Sequence, residues 1–174
     1  FVYGVMTSRL LERLVELAKK HSVKLFGDLQ CSSQIGNILR FKGFDLICPT
    51  EREARIALGN NENSLEWVAQ TLRTKTNSGN LLIKMGSDGF ISYADENGND
   101  FLRRQYFPAL AANPLDVTGA GDSLLAAMSV SVCAGASLME ASAIGTCMAS
   151  IAVQTVGSIP VSYEKLQALL RSIS

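Results

Sequence analysis

Three short apolar segments, residues 23–27, 44–48 and 81–85, lack the every-other-residue polarity of a half-solvated strand, and helix-periodic stretches lie around and between them. A strand that is apolar on both sides must be covered on both faces, so this alternation predicts a parallel sheet flanked by helices and an α/β fold. Residues 8–20 form the first expected helix, capped by Thr7 or Ser8, with Leu10, Leu11, Leu14, Val15 and Leu17 on its apolar face. Residues 33–41 read as a second helix. Thr50 caps a third, whose first turn holds Glu51 and Glu53, and residues 64–76 form a fourth with Leu65, Trp67, Val68 and Leu72 available to the core.

The second half has a different rhythm. Gly86-Ser87-Asp88-Gly89 turns the strand at 81–85 into one at 90–94, and Glu96-Asn97-Gly98-Asn99 leads to another near 101–107. Helices over 124–134, 138–154 and 163–172 follow. No repeat, low-complexity tract or internal domain boundary is visible, and 174 residues suffice for one domain with a substantial core. The chain opens Phe1-Val2-Tyr3-Gly4-Val5, apolar and without an initiating Met, which reads as the middle of a longer protein.

Composition excludes several functions. Sixteen basic and sixteen acidic residues cancel, and no basic run exceeds the pairs Lys19-Lys20 and Arg103-Arg104, so nucleic acid and anionic membrane are not expected partners. His21, the one histidine, is expected to face solvent at a helix end, and its solitude excludes multi-histidine zinc sites and His-dependent triads. Cys31, Cys48, Cys133 and Cys147 lack metal or disulfide spacing and read as reduced thiols of a cytoplasmic protein. Residues 141–163 carry no charge, but Gly145, Gly157 and Pro160 interrupt them, so they read as buried helices rather than a membrane span.

The candidate site is the run Asp116-Val117-Thr118-Gly119-Ala120-Gly121-Asp122, placed directly before a helix of small and apolar residues. A helix start leaves backbone N–H groups without intrahelical acceptors and carries the positive end of the helix dipole, which together seat an anion. Gly119 and Gly121 remove the Cβ atoms that would hold a phosphoryl group away from those amides. Asp122 lies beside the seat, where it can accept a proton from a hydroxyl attacking phosphorus. The alternative is structural: Thr118 and Asp122 cap the helix and the glycines make a turn. In parallel sheets ligands gather beyond the carboxyl ends of the strands, and Asp28, Thr50 and Gly86 each follow an expected strand. Glu53 as a first-turn helix stabiliser, Asp28 as a turn cap and Gly86 to Gly89 as a plain hairpin are the structural alternatives there.

With these residues assembled, the chain resembles the carboxyl-terminal half of a PfkB-type carbohydrate kinase of the ribokinase-like fold. Residues 116–122 match the family pattern D-T/V-x-G-A-G-D, and five further segments recur in family order. Gly4 to Thr7 is similar to a loop and helix cap, and Asp28 to an acid ending a strand. Residues 48–54 resemble the N-x-x-E segment, residues 83–89 the T-x-G-x-x-G segment, and residues 157–160 the closing G-x-x-P. Within the family the wording is nearest to heptose kinases of the ADP-heptose pathway.

The resemblance implies a three-layer α/β/α fold with a mostly parallel sheet and antiparallel edge strands. Residues 1–174 would be the nucleotide-binding part, without the amino-terminal half and its lid. It implies phosphorylation of a sugar or sugar phosphate hydroxyl by ATP, with Asp122 as base and the Gly119, Ala120 and Gly121 amides as anion hole. Thr50, Lys84, Gly86, Gly89 and Thr118 would contact nucleotide, with adenine near residues 150–157, and Glu53 would hold Mg²⁺ through water. Asp116 and the Val117 carbonyl would bind a monovalent cation such as K⁺ in members that use one. Partners would be the sugar and ATP, with a homodimer allowed, and the 174 residues alone are expected to bind ATP weakly and turn over negligibly. Two positions depart from the family: Thr50 stands where Asn is usual and Lys84 where Thr is common. A nucleotide-binding or assembly module without phosphotransfer, and a kinase for a nucleoside or other small alcohol, are the competing readings.

Overall fold

The computed structural model describes residues 6–29, 37–95, 103–111, 113–157 and 159–173. The expected loop at Gly4 and Val5, Cys31, the start of the 33–41 helix, a cap from Ser32 or Ser33, the 96–99 turn, Phe101 and Ser158 lie outside them. The helices are α1 (Ser8–His21), α2 (Glu51–Leu58), α3 (Leu65–Thr76), α4 (Ala120–Cys133), α5 (Leu138–Ala152) and α6 (Tyr163–Ser172). The strands are β1 (Phe26–Gly27), β2 (Leu46–Ile47), β3 (Asn80–Lys84), β4 (Phe90–Ala94) and β5 (Arg103–Phe107), in a sheet of order β1-β2-β3-β4-β5. The chain divides into two compact units, one comprising residues up to Gly86 with Ile91–Gln105, the other Ser87–Phe90 with Tyr106–Ser174.

In the first unit β1 and β2 pair in parallel, as do β2 and β3, so Phe26, Leu46 and Asn80 stand in step, as do Gly27, Ile47 and Leu81. The connection from β3 to β4 is a short 3₁₀ turn at Gly86–Asp88, too short for a parallel crossover, so β4 returns antiparallel. The core is one cluster in which Ile47, Leu81, Ile83 and Tyr93 of the sheet meet Ala54 of α2 and Val68, Ala69 and Leu72 of α3. Each fully buried Leu, Ile or Val there contributes about 1.5–3 kcal/mol.

Local chemistry sets the helix ends. Thr50 and Ser64 cap α2 and α3, and Gly59 and Asn77 close them in the left-handed region. His21 ends α1 exposed, as expected. Trp67 does not serve the core: it is 41% exposed, because Val68 and Leu72 define the buried stripe of α3 and its neighbour on the helix is rotated away from it. Within residues 37–41 the expected helix is a 3₁₀ turn, Ile38–Arg40, whose start is fixed by the Asn37 side chain accepting the Leu39 N–H at 2.9 Å.

In the second unit α4 and α5 pack through small residues. Ala141, Ser142 and Gly145 are buried on α5, and a Cβ at Gly145 would come within 2.6 Å of the Leu124 side chain on α4. Helix α4 begins at Ala120, earlier than the expected 124, so half of the glycine run lies inside it. Phe90 and Phe107 stack with ring centroids 5.2 Å apart. Beside them Gly89 has φ +90, and a Cβ there would sit 2.1 Å from the Phe107 carbonyl oxygen, whereas Gly86 at φ +64 faces open space.

These two glycines give a stability test. Gly89→Ala is expected to lose roughly 2–4 kcal/mol, combining backbone strain with a clash against main chain, and Gly86→Ala only about 1 kcal/mol. Chemical denaturation of both variants checks this, and equal losses would contradict it.

Candidate functional site

The first group of candidate residues lies at the carboxyl edge of β1, β2 and β3. Asp28 directly follows β1, Thr50 lies just past β2, and Lys84 ends β3. Thr50 and Lys84 form a parallel bridge, and the Lys84 N–H donates to the Pro49 carbonyl at 2.9 Å, so the register of the sheet carries through to these positions. The Lys84 ammonium lies 2.6 Å from each carboxylate oxygen of Asp28, and both side chains are 17% exposed. Lys84 therefore neither faces solvent nor stands unpartnered. Asp28 also accepts the Leu29 N–H at 2.7 Å. Burial nonetheless pushes the Asp28 carboxyl above its ordinary range, against the pull of Lys84, and the nearby Glu53 charge adds to the rise.

Glu53 is 5% exposed and is fixed by helix chemistry. Its Oε2 accepts the Thr50 N–H at 2.7 Å while its own N–H donates to Thr50 Oγ1 at 3.2 Å, a reciprocal capping box. The Thr50 hydroxyl is thus engaged as a cap. Cys48, buried beneath, has its thiol pushed well up by desolvation and by the Asp28 charge, which makes it unreactive. Outside this edge a cleft of about 670 Å³ is lined by Thr50, Arg52, Arg55, Lys84, Met85 and Gly86. Arg55 is tied to Glu51 at 2.7 Å and to the Asn63 carbonyl at 3.0 Å, and Arg52 is exposed.

The second group is the run from Asp116 to Asp122. Gly119 is the N-cap of α4 at φ 78, ψ 0, with no side-chain cap. The alternative in which Thr118 or Asp122 caps the helix is therefore not what the chain adopts. The first-turn amides of α4 have no acceptor within the helix by geometry, the Ala120 N–H donates instead to the Val117 carbonyl of the loop at 3.2 Å, and Asp122 stands exposed in that turn. Asp116 is the brace of the loop: one carboxylate oxygen accepts the Thr118 N–H and the other the Gly157 N–H, each at 2.9 Å. The N–H groups of Leu115 and Asp116 both donate to the Val153 carbonyl, which ties the loop to the end of α5. The hydrogen bonds from Thr118, then that from Gly157, hold the Asp116 carboxyl below its usual range. Val117 is 69% exposed.

Among the sequence-derived candidates, Thr50, Glu53, Lys84 and Gly86 are thus assembled in the first unit, and Asp116 to Asp122 in the second. Gly89, also in the second unit, has a packing reason for lacking a side chain. Three features are not foreseen by the sequence reading: the Asp28–Lys84 ion pair, the Arg52 and Arg55 lining of the cleft, and the Asp116–Gly157 brace. A signal for the first exists, since two residues of opposite charge end or follow the apolar strands that flank β2. No group of three or more His, Cys, Asp or Glu side chains able to hold a metal occurs among the described residues. No helix there is long and apolar enough to cross a membrane.

The Asp116 brace is testable by its titration. A carboxyl lowered in the folded state stabilises above its unfolded pKa, and that stability is lost as pH falls through the folded value. The amide NMR signals of Thr118 and Gly157 are therefore expected to shift together with a midpoint below about 3.9, the ordinary aspartate value. In Asp116→Asn that transition disappears; a midpoint at or above the ordinary value would refute the brace.

Comparison with known proteins places this geometry. The profile of the pfkB family of carbohydrate kinases matches residues 1–166. The bifunctional protein HldE of Campylobacter fetus is 31% identical over 169 residues, 95% of this chain and 34% of its own length. Ribokinase from Thermotoga maritima superposes with a TM-score of 0.73 at 26% identity, covering 92% of this chain and 53% of that one. Phosphofructokinase-2 from Escherichia coli, solved in complex with potassium, gives 0.76 at 19% identity over 97% of this chain and 53% of its own. The chain spans about a third of the length of the curated relatives it matches and about half of these solved structures. The strand order, the parallel pairs and the helix positions are those of a ribokinase-like α/β fold, and the chain belongs to the pfkB family of carbohydrate kinases.

Proposed function

We propose that the protein containing this chain transfers the terminal phosphoryl group of ATP to a hydroxyl of a sugar or sugar phosphate, and that the chain supplies the anion hole, the base and nucleotide contacts. The observation that carries the reading is the amino end of α4, where Gly119 in the left-handed region replaces a side-chain cap and Asp122 stands exposed in the first turn. The Gly119, Ala120 and Gly121 amides hold the migrating phosphoryl oxygens, with Thr118 beside them, and the Asp122 carboxylate receives the proton of the attacking hydroxyl. Positioning supplies most of the acceleration, because phosphoryl transfer through a loose transition state needs little proton removal until late.

Nucleotide phosphates are assigned to Lys84 and Gly86, with Thr50 fixing the helix start beside them, and adenine to the segment near residues 150–157. A magnesium ion that arrives on the nucleotide would be met through water by Glu53, whose Oε2 is held by the Thr50 N–H. Asp116 and the Val117 carbonyl are the residues for a monovalent cation; potassium in the related phosphofructokinase-2 supports that assignment. The nearness of the motif wording to heptose kinases makes a heptose phosphate our choice of acceptor.

A second reading, a nucleotide-binding or assembly module without phosphotransfer, is favoured by one observation: the Thr50 hydroxyl is committed to the Glu53 N–H. One experiment separates the two. The full-length gene product, assayed for ATP consumption against a panel of sugars and sugar phosphates, is expected to turn over, and its Asp122→Asn variant to lose at least ~100-fold in kcat. Unchanged turnover in the variant removes the base, and inactivity of the parent on every acceptor favours the module.

A further inference from the structure

The Asp28–Lys84 pair has the form of an ion site already filled. The Lys84 backbone is fixed twice, by the bridge to Thr50 and by the hydrogen bond to Pro49, so its side chain leaves the sheet from a set position. From there the ammonium reaches both Asp28 oxygens at 2.6 Å, the symmetric placement that a small cation takes on a bidentate carboxylate. One of those oxygens also accepts the Leu29 N–H. The neighbouring carboxylate, Glu53, is nearly buried and held in its capping box with Thr50. A divalent ion approaching this edge would have to displace the ammonium or sit against it, and like charges at that separation repel strongly. Lys84 also lines the cleft beside Arg52 and Arg55, so the cleft is bordered by three cationic side chains and one carboxylate, Glu51.

We infer that Lys84 is a tethered cation: its ammonium takes the seat on Asp28 that a protein-bound divalent ion would need, so that carboxylate holds no divalent ion of its own. Lys84 acts here as a positioning residue and charge partner. The inference rests on the Asp28–Lys84 geometry and not on the kinase reading.

The test titrates Mn²⁺ into the nucleotide-free chain and follows free Mn²⁺ by electron paramagnetic resonance. The wild type is expected to bind no Mn²⁺ below about 1 mM, the weak end of the range for oxygen-ligand sites. Lys84→Thr is expected to bind at least ~10-fold more tightly. Adding Asp28→Asn to Lys84→Thr should abolish the gain, which locates the ion on that carboxylate. Circular dichroism checks that each variant folds. If Lys84→Thr does not fold, the wild-type titration decides alone, since sub-millimolar Mn²⁺ binding by the wild type overturns the inference. Equal Mn²⁺ affinity in folded wild type and Lys84→Thr overturns it too.

Discussion

The parallel register of β1, β2 and β3 is the constraint from which the first unit follows. Because Gly27, Ile47 and Leu81 stand side by side, the residues that leave the sheet after them emerge along one edge. Asp28, Thr50 and Lys84, which are far apart in the chain, become neighbours without any of them choosing the others locally. Pairing them has a cost. Two charges leave water together, and burial pushes the Asp28 carboxyl up against the pull of Lys84. Such a pair adds little net stability; what it provides is a fixed position for a charge, held by a rigid sheet.

The second unit solves a different problem, how to leave a helix start uncapped. Most of the other helices begin on a Thr or Ser whose oxygen accepts a first-turn amide, as Thr7, Thr50, Ser64, Ser137 and Ser162 do. Helix α4 begins on Gly119 instead. A glycine at the N-cap in place of Ser or Thr forgoes roughly a few tenths of a kcal/mol. The loop before it is steadied elsewhere, by Asp116 reaching Thr118 and Gly157 and by the Val153 carbonyl. Stability is thereby supplied mainly around the amides, although the Ala120 N–H itself donates to the Val117 carbonyl at 3.2 Å.

The two ends of the fold differed in how much of them could be read in advance. Helix α6 was expected over the residues it occupies, α2 at its Thr50 cap and α3 to within one residue of its start, because the side chains that start a helix act on amides two or three residues away. Trp67 was misplaced for a similar reason in reverse: a helix face is set by what it packs on, and one residue along α3 rotates a side chain off the buried stripe. Gly89 illustrates the same limit, since its bareness answers to the Phe107 carbonyl, a partner distant in sequence.

What the sequence by itself determined is the family and the α/β alternation, which lie in the order of segments along the chain, and the helix starts and the glycine run ahead of α4, which depend on residues within a turn or two of each other. What only the tertiary structure decided is which charges meet. Lys84 was legible as a cation at a strand end, but its commitment to Asp28 depends on strands placed in register by burial of Ile47, Leu81 and Ile83. The same holds for Asp116 and Gly157, separated by two helices and joined by a hydrogen bond of 2.9 Å. Charge pairing acts over a few ångströms of space, and the chain's order carries no record of those distances until the core has set them.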